Sequence, residues 1–264
     1  MSSPGPRGSQ SDPYAQIAAI YDAEFTAAEA DIRTFARDLD GAARVLVLGC
    51  GTGRVSEALR APGRAVVGVD LSAPMIERAR ANAGRGSRSV PIGVNPGIAY
   101  FVADMCELGF VGLAPFDAVV IPNAAFSFLP TRRDQLRCLT GLRGLVRGPL
   151  WIDVPMPDFA LLGAAHSPEA PAWAGAVGDR RVRRTREVWR RPVQQQLTLL
   201  DRYYTGDEPG APPIASSQLE LRLVFPAELE WMLEAAGFYA DAMFGDHAGG
   251  PLREGCDRLL VRAM

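Results

Sequence analysis

Between Arg44 and Val154 the chain alternates two hydrophobic patterns. Short β-branched runs at Arg44 to Leu48, Ala65 to Asp70, Ile98 to Ala103, Phe116 to Ile121 and Leu150 to Val154 predict strands. Amphipathic stretches at Arg54 to Leu59, Ala73 to Asn82 and Arg132 to Leu145 predict helices between them. Near-continuous apolar runs belong to strands covered on both faces, and parallel neighbours need crossover connections, so the order predicts a doubly wound α/β fold. Ser72 before Ala73-Pro74, and Thr131 three residues before Asp134, are expected to cap two of the helices.

Ahead of this block, apolar residues recur at helical spacing from Tyr14 to Leu39, predicting one or two leading helices. Behind it, residues 155 to 179 are dense in Pro, Ala and Gly. Three strand-like runs follow without intervening helices: Arg181 to Arg190, Val193 to Tyr204 and Gln218 to Phe225. The last alternates, with Leu219, Leu221, Leu223 and Phe225 on one face and Gln218, Glu220 and Arg222 on the other, which predicts a small antiparallel sheet with one buried face. A helix from Pro226 to Ala236 and strands Phe238 to Phe244 and Arg258 to Arg262 close the chain. The expected units are a polar tail (1–12), leading helices and core (13–155), the antiparallel insert (156–225) and a return to the core (226–264).

Length and composition bound the function. With 264 residues and 48% hydrophobic content the chain can bury a substantial core. No apolar stretch approaches the roughly 18 residues of a membrane span, and the first residues lack a secretory pattern, so no membrane and a cytoplasmic location are expected. Cys50, Cys106, Cys138 and Cys256 are too scattered for a zinc or disulfide framework, and no metal site is expected. A net charge of -2 favours no nucleic acid partner. The oligomeric state is open, with a homodimer compatible.

The chemistry enters with the glycine turn after the first strand, "VLVLGCGTG". Its spacing, Gly49, Gly51 and Gly53, departs from the G-x-G-x-x-G of dinucleotide enzymes, where Arg54 would have to be glycine. A chain without lysine has no phosphate loop of the G-x-x-x-x-G-K-[ST] type. The second strand ends in Asp70, placed to meet a ribose, and the third ends in Asp104-Met105, a carboxylate beside a thioether that can pack on a ring. Two carboxylates at successive strand ends suit an adenosine without phosphates.

With "VLVLGCGTGRVSEAL", "VVGVDLSAPMIERAR", "FVADMCEL", "FDAVVIPNAAFSFL" and "FPAELEWMLEAAGF" in this order, the sequence resembles the class I S-adenosylmethionine-dependent methyltransferases, most closely the small-molecule branch similar to glycine and aminosugar N-methyltransferases. That resemblance implies a seven-stranded, mostly parallel Rossmann-like sheet with an antiparallel insert after strand 5. It implies S-adenosyl-L-methionine as cofactor, with Gly49, Cys50, Gly51 and Gly53 at the methionine portion and Asp70 on the ribose. Leu71, Met75, Asp104 and Met105 would surround the adenine, Pro122 and Asn123 would lie at the sulfonium, and Tyr14 and Tyr21 would close over the cofactor. Core packing for Met75 and Met105, and a helix cap or surface role for Asp70 and Asp104, are the competing readings. The family usually carries Asp or Glu at the position of Val47, so weaker cofactor affinity is expected unless Asn123 or a backbone carbonyl compensates.

An amine acceptor needs little beyond alignment, whereas a hydroxyl acceptor benefits from a general base, for which His166 and His247 are the available histidines, with Tyr21 a further catalytic candidate. Structural or solvated roles for both histidines stand equal. Phe126, Phe128, Trp173, Tyr203 and Tyr204 are candidates for the acceptor pocket, against ordinary core filling. Seven arginines among residues 180 to 191 read more simply as an outer strand face paired with Glu187, Asp201 and Glu220 than as an acidic-substrate site. The expected activity is methyl transfer to a small molecule at N or O, plausibly in bacterial secondary metabolism. Its alternatives are a cyclase or other catalyst that keeps the cofactor unspent, and a non-enzymatic binding module.

Overall fold

The computed structural model describes residues 12–25, 30–84, 97–111, 115–157, 163–206 and 210–264; the expected polar tail lies, but for Asp12, outside the described residues. Helices α1 (Ala18–Phe25) and α2 (Ala30–Asp38) lead into the alternating core: β1 (Arg44–Leu48), α3 (Arg54–Ala58), β2 (Ala65–Asp70), α4 (Ala73–Gly84), β3 (Gly97–Val102), β4 (Ala118–Ile121), α5 (Arg132–Leu142) and β5 (Leu150–Pro155). The insert strands are β6 (His166–Val177), β7 (Arg180–Arg191), β8 (Gln196–Thr205) and β9 (Ala215–Arg222). Helix α6 (Pro226–Ala235) and strands β10 (Ala240–Phe244) and β11 (Arg258–Ala263) complete the order. No described helix is long and apolar enough to cross a membrane.

The main sheet has the order β10-β11-β5-β4-β1-β2-β3. Its pairs β1–β2, β2–β3, β1–β4 and β4–β5 are parallel, and β11 alone runs antiparallel to both neighbours. The chain winds outward from β1 to β3, then returns to the other side of β1, so the strand order reverses between β1 and β4; ligands of open α/β sheets bind at that reversal, beyond the carboxyl ends of the strands. Alternation along β1 feeds both cores. Leu46 and Leu48 join Val119, Leu139 and Leu229 on one face, while Val45 and Val47 join Phe35, Leu59, Ile76 and Trp151 on the other. Val47 is thus a fully buried core residue beside Gly68 and Val120.

Both expected caps form. Ser72 Oγ accepts from the Met75 N–H at 3.3 Å, and Thr131 Oγ1 from the Asp134 N–H at 3.1 Å.

The insert differs from expectation in four places, the first being that β9 runs over Ala215–Arg222 rather than Gln218 to Phe225, with Phe225 instead preceding α6 as its N-cap. Strand β6 runs through the Pro/Ala/Gly-rich segment, because as the edge of the order β6-β7-β8-β9 it need not donate on its outer side, and its ladder shifts register around Pro168 and Pro171. Strand β8 begins at Gln196 rather than Val193, after a 3₁₀ turn over Pro192–Gln194 that ends with Gln195 at φ 55°. Asp201 was expected on the outer face, but register pairs it with Arg186 and Ser217 on the face turned toward α1, where Ile17 and Ile20 pack on Val182, Tyr203 and Ala215. Arg222 is likewise buried, bonded to Gln135, Gln195 and Glu228.

Thr131→Ala is expected to cost about 1 kcal/mol through loss of the α5 cap, measurable as a lower urea midpoint with an unchanged slope.

Candidate functional site

The loop after β1 is shaped by three glycines with positive φ: Gly49 (66°), Gly51 (54°) and Gly53 (89°). A side chain on Gly49 would also overlap the Ala125 methyl, at 2.3 Å, so glycine lets this loop lie against the turn after β4. Asp70, at the carboxyl end of β2, fastens the loop: its Oδ2 accepts from the Gly51 N–H at 2.8 Å and its Oδ1 from the Ser72 N–H at 2.9 Å. Burial raises the Asp70 pKa despite these bonds. Each Asp70 oxygen keeps a second lone pair for a ligand hydroxyl. Leu71 beside it is 63% exposed, an unusual state for leucine that leaves an apolar surface at the strand end. Beyond β3, Asp104 Oδ1 accepts from the Cys106 N–H at 2.8 Å, and the Met105 methyl reaches toward Gly49.

Two aromatic residues cover the loop. Tyr21 approaches Gly51, and its hydroxyl accepts from Asn123 Nδ2 at 3.2 Å. Tyr14 meets Tyr21 and Phe128 edge-on, with centroids at 6.0 and 6.1 Å. Burial pushes the Tyr21 hydroxyl up to about 12, so it is a neutral hydrogen-bonding group near pH 7. Burial likewise raises the Tyr14 hydroxyl well above its ordinary value.

The turn holding Asn123 is itself strained, with φ of 48° at Asn123 and 65° at Ala124. Asp153 on β5 holds it: its side chain Oδ2 accepts from the Asn123 N–H at 3.0 Å and its backbone carbonyl from the Ala124 N–H at 2.9 Å. The same carboxylate meets His247 Nε2 at 3.1 Å and takes two donors from Arg258, Nε at 2.8 Å and Nη2. Burial would raise the Asp153 pKa, but His247 and Arg258 outweigh it and hold it below the ordinary value. An ionised carboxylate only accepts, so His247 donates to it from Nε2, and Nδ1 is the ring nitrogen left for another partner. Asp153 was not foreseen in the sequence, although a charge inside the apolar run "LWIDVP" was its available signal. Arg54 is a second such residue: it grips buried Asp31 from α2 through Nη1 at 3.0 Å and Nη2.

The remaining candidates divide. Cys50, Met75 and Pro122 are buried, with the Cys50 sulfur beside Gly68, so its backbone rather than its thiol faces the crevice. Phe126 is fully buried in the main core, while Phe128 reaches the site edge against Tyr14. Tyr203 lies on the inner face of the insert, but adjacent strand residues point oppositely, and Tyr204 on the outer face donates to Glu169 and carries Arg183 over its ring. Trp173 packs against the α1–insert cluster. His166 is not brought to the crevice: on β6 it is partly exposed, bonded to Glu187 at 2.9 Å and stacked on Trp189.

Asp153→Ala, which strands Arg258 and releases Asn123, is expected to lower stability by about 3–5 kcal/mol in denaturant titration. Because the folded-state pKa of Asp153 is lowered, its contribution is complete above the ordinary carboxylate value of 3.8 and is lost as pH falls through the lower one. The gap between parent and variant should therefore narrow below pH 4.

Residues 45–147 match the family described as "Methyltransferase domain". The carboxy-S-adenosyl-L-methionine synthase of Aeromonas salmonicida is 36% identical over 107 residues, covering 38% of this chain and 39% of that protein. The chain spans less than half the length of the curated relatives it matches. Among solved structures, the CcbJ methyltransferase from Streptomyces caelestis superposes with a TM-score of 0.76 at 21% identity, covering 95% of this chain and 96% of its own. CalS10 from Micromonospora echinaspora, an amino pentose methyltransferase involved in calicheamicin biosynthesis and solved with S-adenosylmethionine bound, gives 0.62 at 22% identity, covering 97% and 99%. Residues 45–147, from β1 to just past α5, thus match a methyltransferase domain, and along nearly its whole length the chain shares the fold of these two solved methyltransferases.

Proposed function

We propose that this protein transfers a methyl group from S-adenosyl-L-methionine to nitrogen or oxygen of a small molecule. The observation that carries the reading is Asp70: a buried carboxylate, fixed by the amides of Gly51 and Ser72, with lone pairs left at the carboxyl end of β2 beside a left-handed glycine loop. Such a group fits a neutral diol and repels a phosphate.

In this reading Asp70 receives the ribose hydroxyls, Asp104 the adenine amino group, and Leu71, Met75 and Met105 the faces of the ring. Tyr21 and Asn123 stand at the sulfur end, and Tyr14 with Tyr21 keeps water out. When bound, the cofactor supplies an activated methyl with a good leaving group, so the chain's task is alignment and exclusion of water. The buried Asp153 carboxylate that positions Asn123 also orients His247, whose Nδ1 is the candidate proton acceptor for a hydroxyl substrate. The CalS10 likeness supports a glycosylated or amino-bearing secondary metabolite as acceptor.

A second reading, a catalyst that uses the cofactor without methyl transfer, is favoured by two observations. Val47 is sealed in the core, so β1 offers no carboxylate to the cofactor amino group, and one relative is named a synthase rather than a methyltransferase.

Titration calorimetry with S-adenosylmethionine should give saturable heat, and none at millimolar ligand would end both readings. Asp104→Ala should weaken binding by about 1–3 kcal/mol with the fold intact. Turnover that releases S-adenosylhomocysteine stoichiometrically selects methyl transfer, and turnover without it selects the second reading.

A further inference from the structure

A buried ionic cluster joins the covering helix to the insert. Glu24 on α1 accepts from Arg184 Nη2 at 2.8 Å and from the Tyr203 hydroxyl. Arg184 Nη1 donates to Asp201 Oδ2 at 2.9 Å, and Arg186 clasps both Asp201 oxygens, through Nε and Nη2, each at 2.7 Å. The side chains of Glu24, Arg184 and Asp201 are 6%, 9% and 1% exposed. Yet Glu24 Oε2, Arg184 Nε and the Ser217 hydroxyl, all buried, have no hydrogen-bond partner among the described residues. Buried polar atoms are nearly always satisfied, and three exceptions in one cluster call for a partner. They are complementary in kind: a carboxylate oxygen that accepts, a guanidinium N–H that donates, and a hydroxyl that does either.

The position of the cluster says what that partner is. Tyr21 and Glu24 are three residues apart on α1, about 5–6 Å between Cβ atoms. A group held at Glu24 therefore lies one small ring away from Tyr21 and Asn123, where the reacting centre is proposed. The cluster is not sealed throughout, since Arg186 is 31% exposed and Val188 and Leu199 beside it are only partly buried.

We infer that Glu24, Arg184 and Ser217, with Arg186, Asp201 and Tyr203 as positioning residues, form the recognition site for the acceptor, and that the acceptor carries a hydrogen-bond donor next to an acceptor atom, as in a vicinal amino alcohol. The inference rests on the methyltransferase reading. It also sets what is refused. Both arginine forks are turned to carboxylates of the protein, and the unpartnered Arg184 Nε stands beside the Glu24 carboxylate, which repels an acidic acceptor.

The test uses the full chain and three probes, trans-2-aminocyclohexanol, cyclohexylamine and cyclohexanecarboxylate, titrated by NMR with and without S-adenosylhomocysteine. The amino alcohol is expected to bind about tenfold more tightly than cyclohexylamine, and the carboxylate not at all. Ser217→Ala should remove most of the preference for the amino alcohol over cyclohexylamine. Glu24→Gln should weaken both amines about tenfold, with circular dichroism and S-adenosylhomocysteine affinity unchanged in each variant. Equal affinity for the two amines, binding of the carboxylate, or variants indistinguishable from the parent overturn the assignment. Absence of any S-adenosylhomocysteine binding, with the probe order intact, overturns the cofactor reading instead.

Discussion

The Asp153 carboxylate bears the greatest organising load in this molecule. From the end of β5 it accepts from the backbone of the β4 turn, from a histidine after β10 and from an arginine on β11. Three segments distant in sequence are thereby set in one place at the mouth of the sheet reversal. A carboxylate that is 1% exposed is expensive to bury, and only a full complement of donors makes it tolerable. Its acceptor capacity is used up by structure, and that is why the strained Asn123–Ala124 backbone can persist and present the Asn123 amide to Tyr21.

Asp70 works differently on the same edge of the sheet. The Gly51 and Ser72 amides hold it, and each of its oxygens keeps a lone pair. A carboxylate whose acceptor sites are all taken on β5 thus stands on the same sheet edge as one with lone pairs to spare on β2.

Much of this was legible in the chain. Runs such as "RAVVGVD" announce strands buried on both faces, and a glycine turn followed by a strand-terminal Asp foretells the loop and the carboxylate that meet at the sheet reversal. Three kinds of feature were not. Strand β6 was hidden because proline and alanine carry no strand signal, and an edge position tolerates them. Asp201 was assigned to the wrong face because a period of two makes facing depend on register, which a sequence does not display. The Glu24–Arg184 and Asp153–Arg258 pairs join residues more than a hundred positions apart, and no local pattern couples them. Val47, which departs from the usual motif, packs in the second core with Phe35, Leu59, Ile76 and Trp151.

The insert has two free borders, and each is blunted in its own way. On β6, Pro168 and Pro171 leave gaps in the row of amide donors and the ladder slips beside them. On β9, the Ser216 amide is occupied by the Gln16 side chain at 3.1 Å. A foreign strand approaching either border meets an interrupted or already claimed hydrogen-bonding row, which opposes pairing of this four-stranded sheet with its own copies into a continuous ribbon.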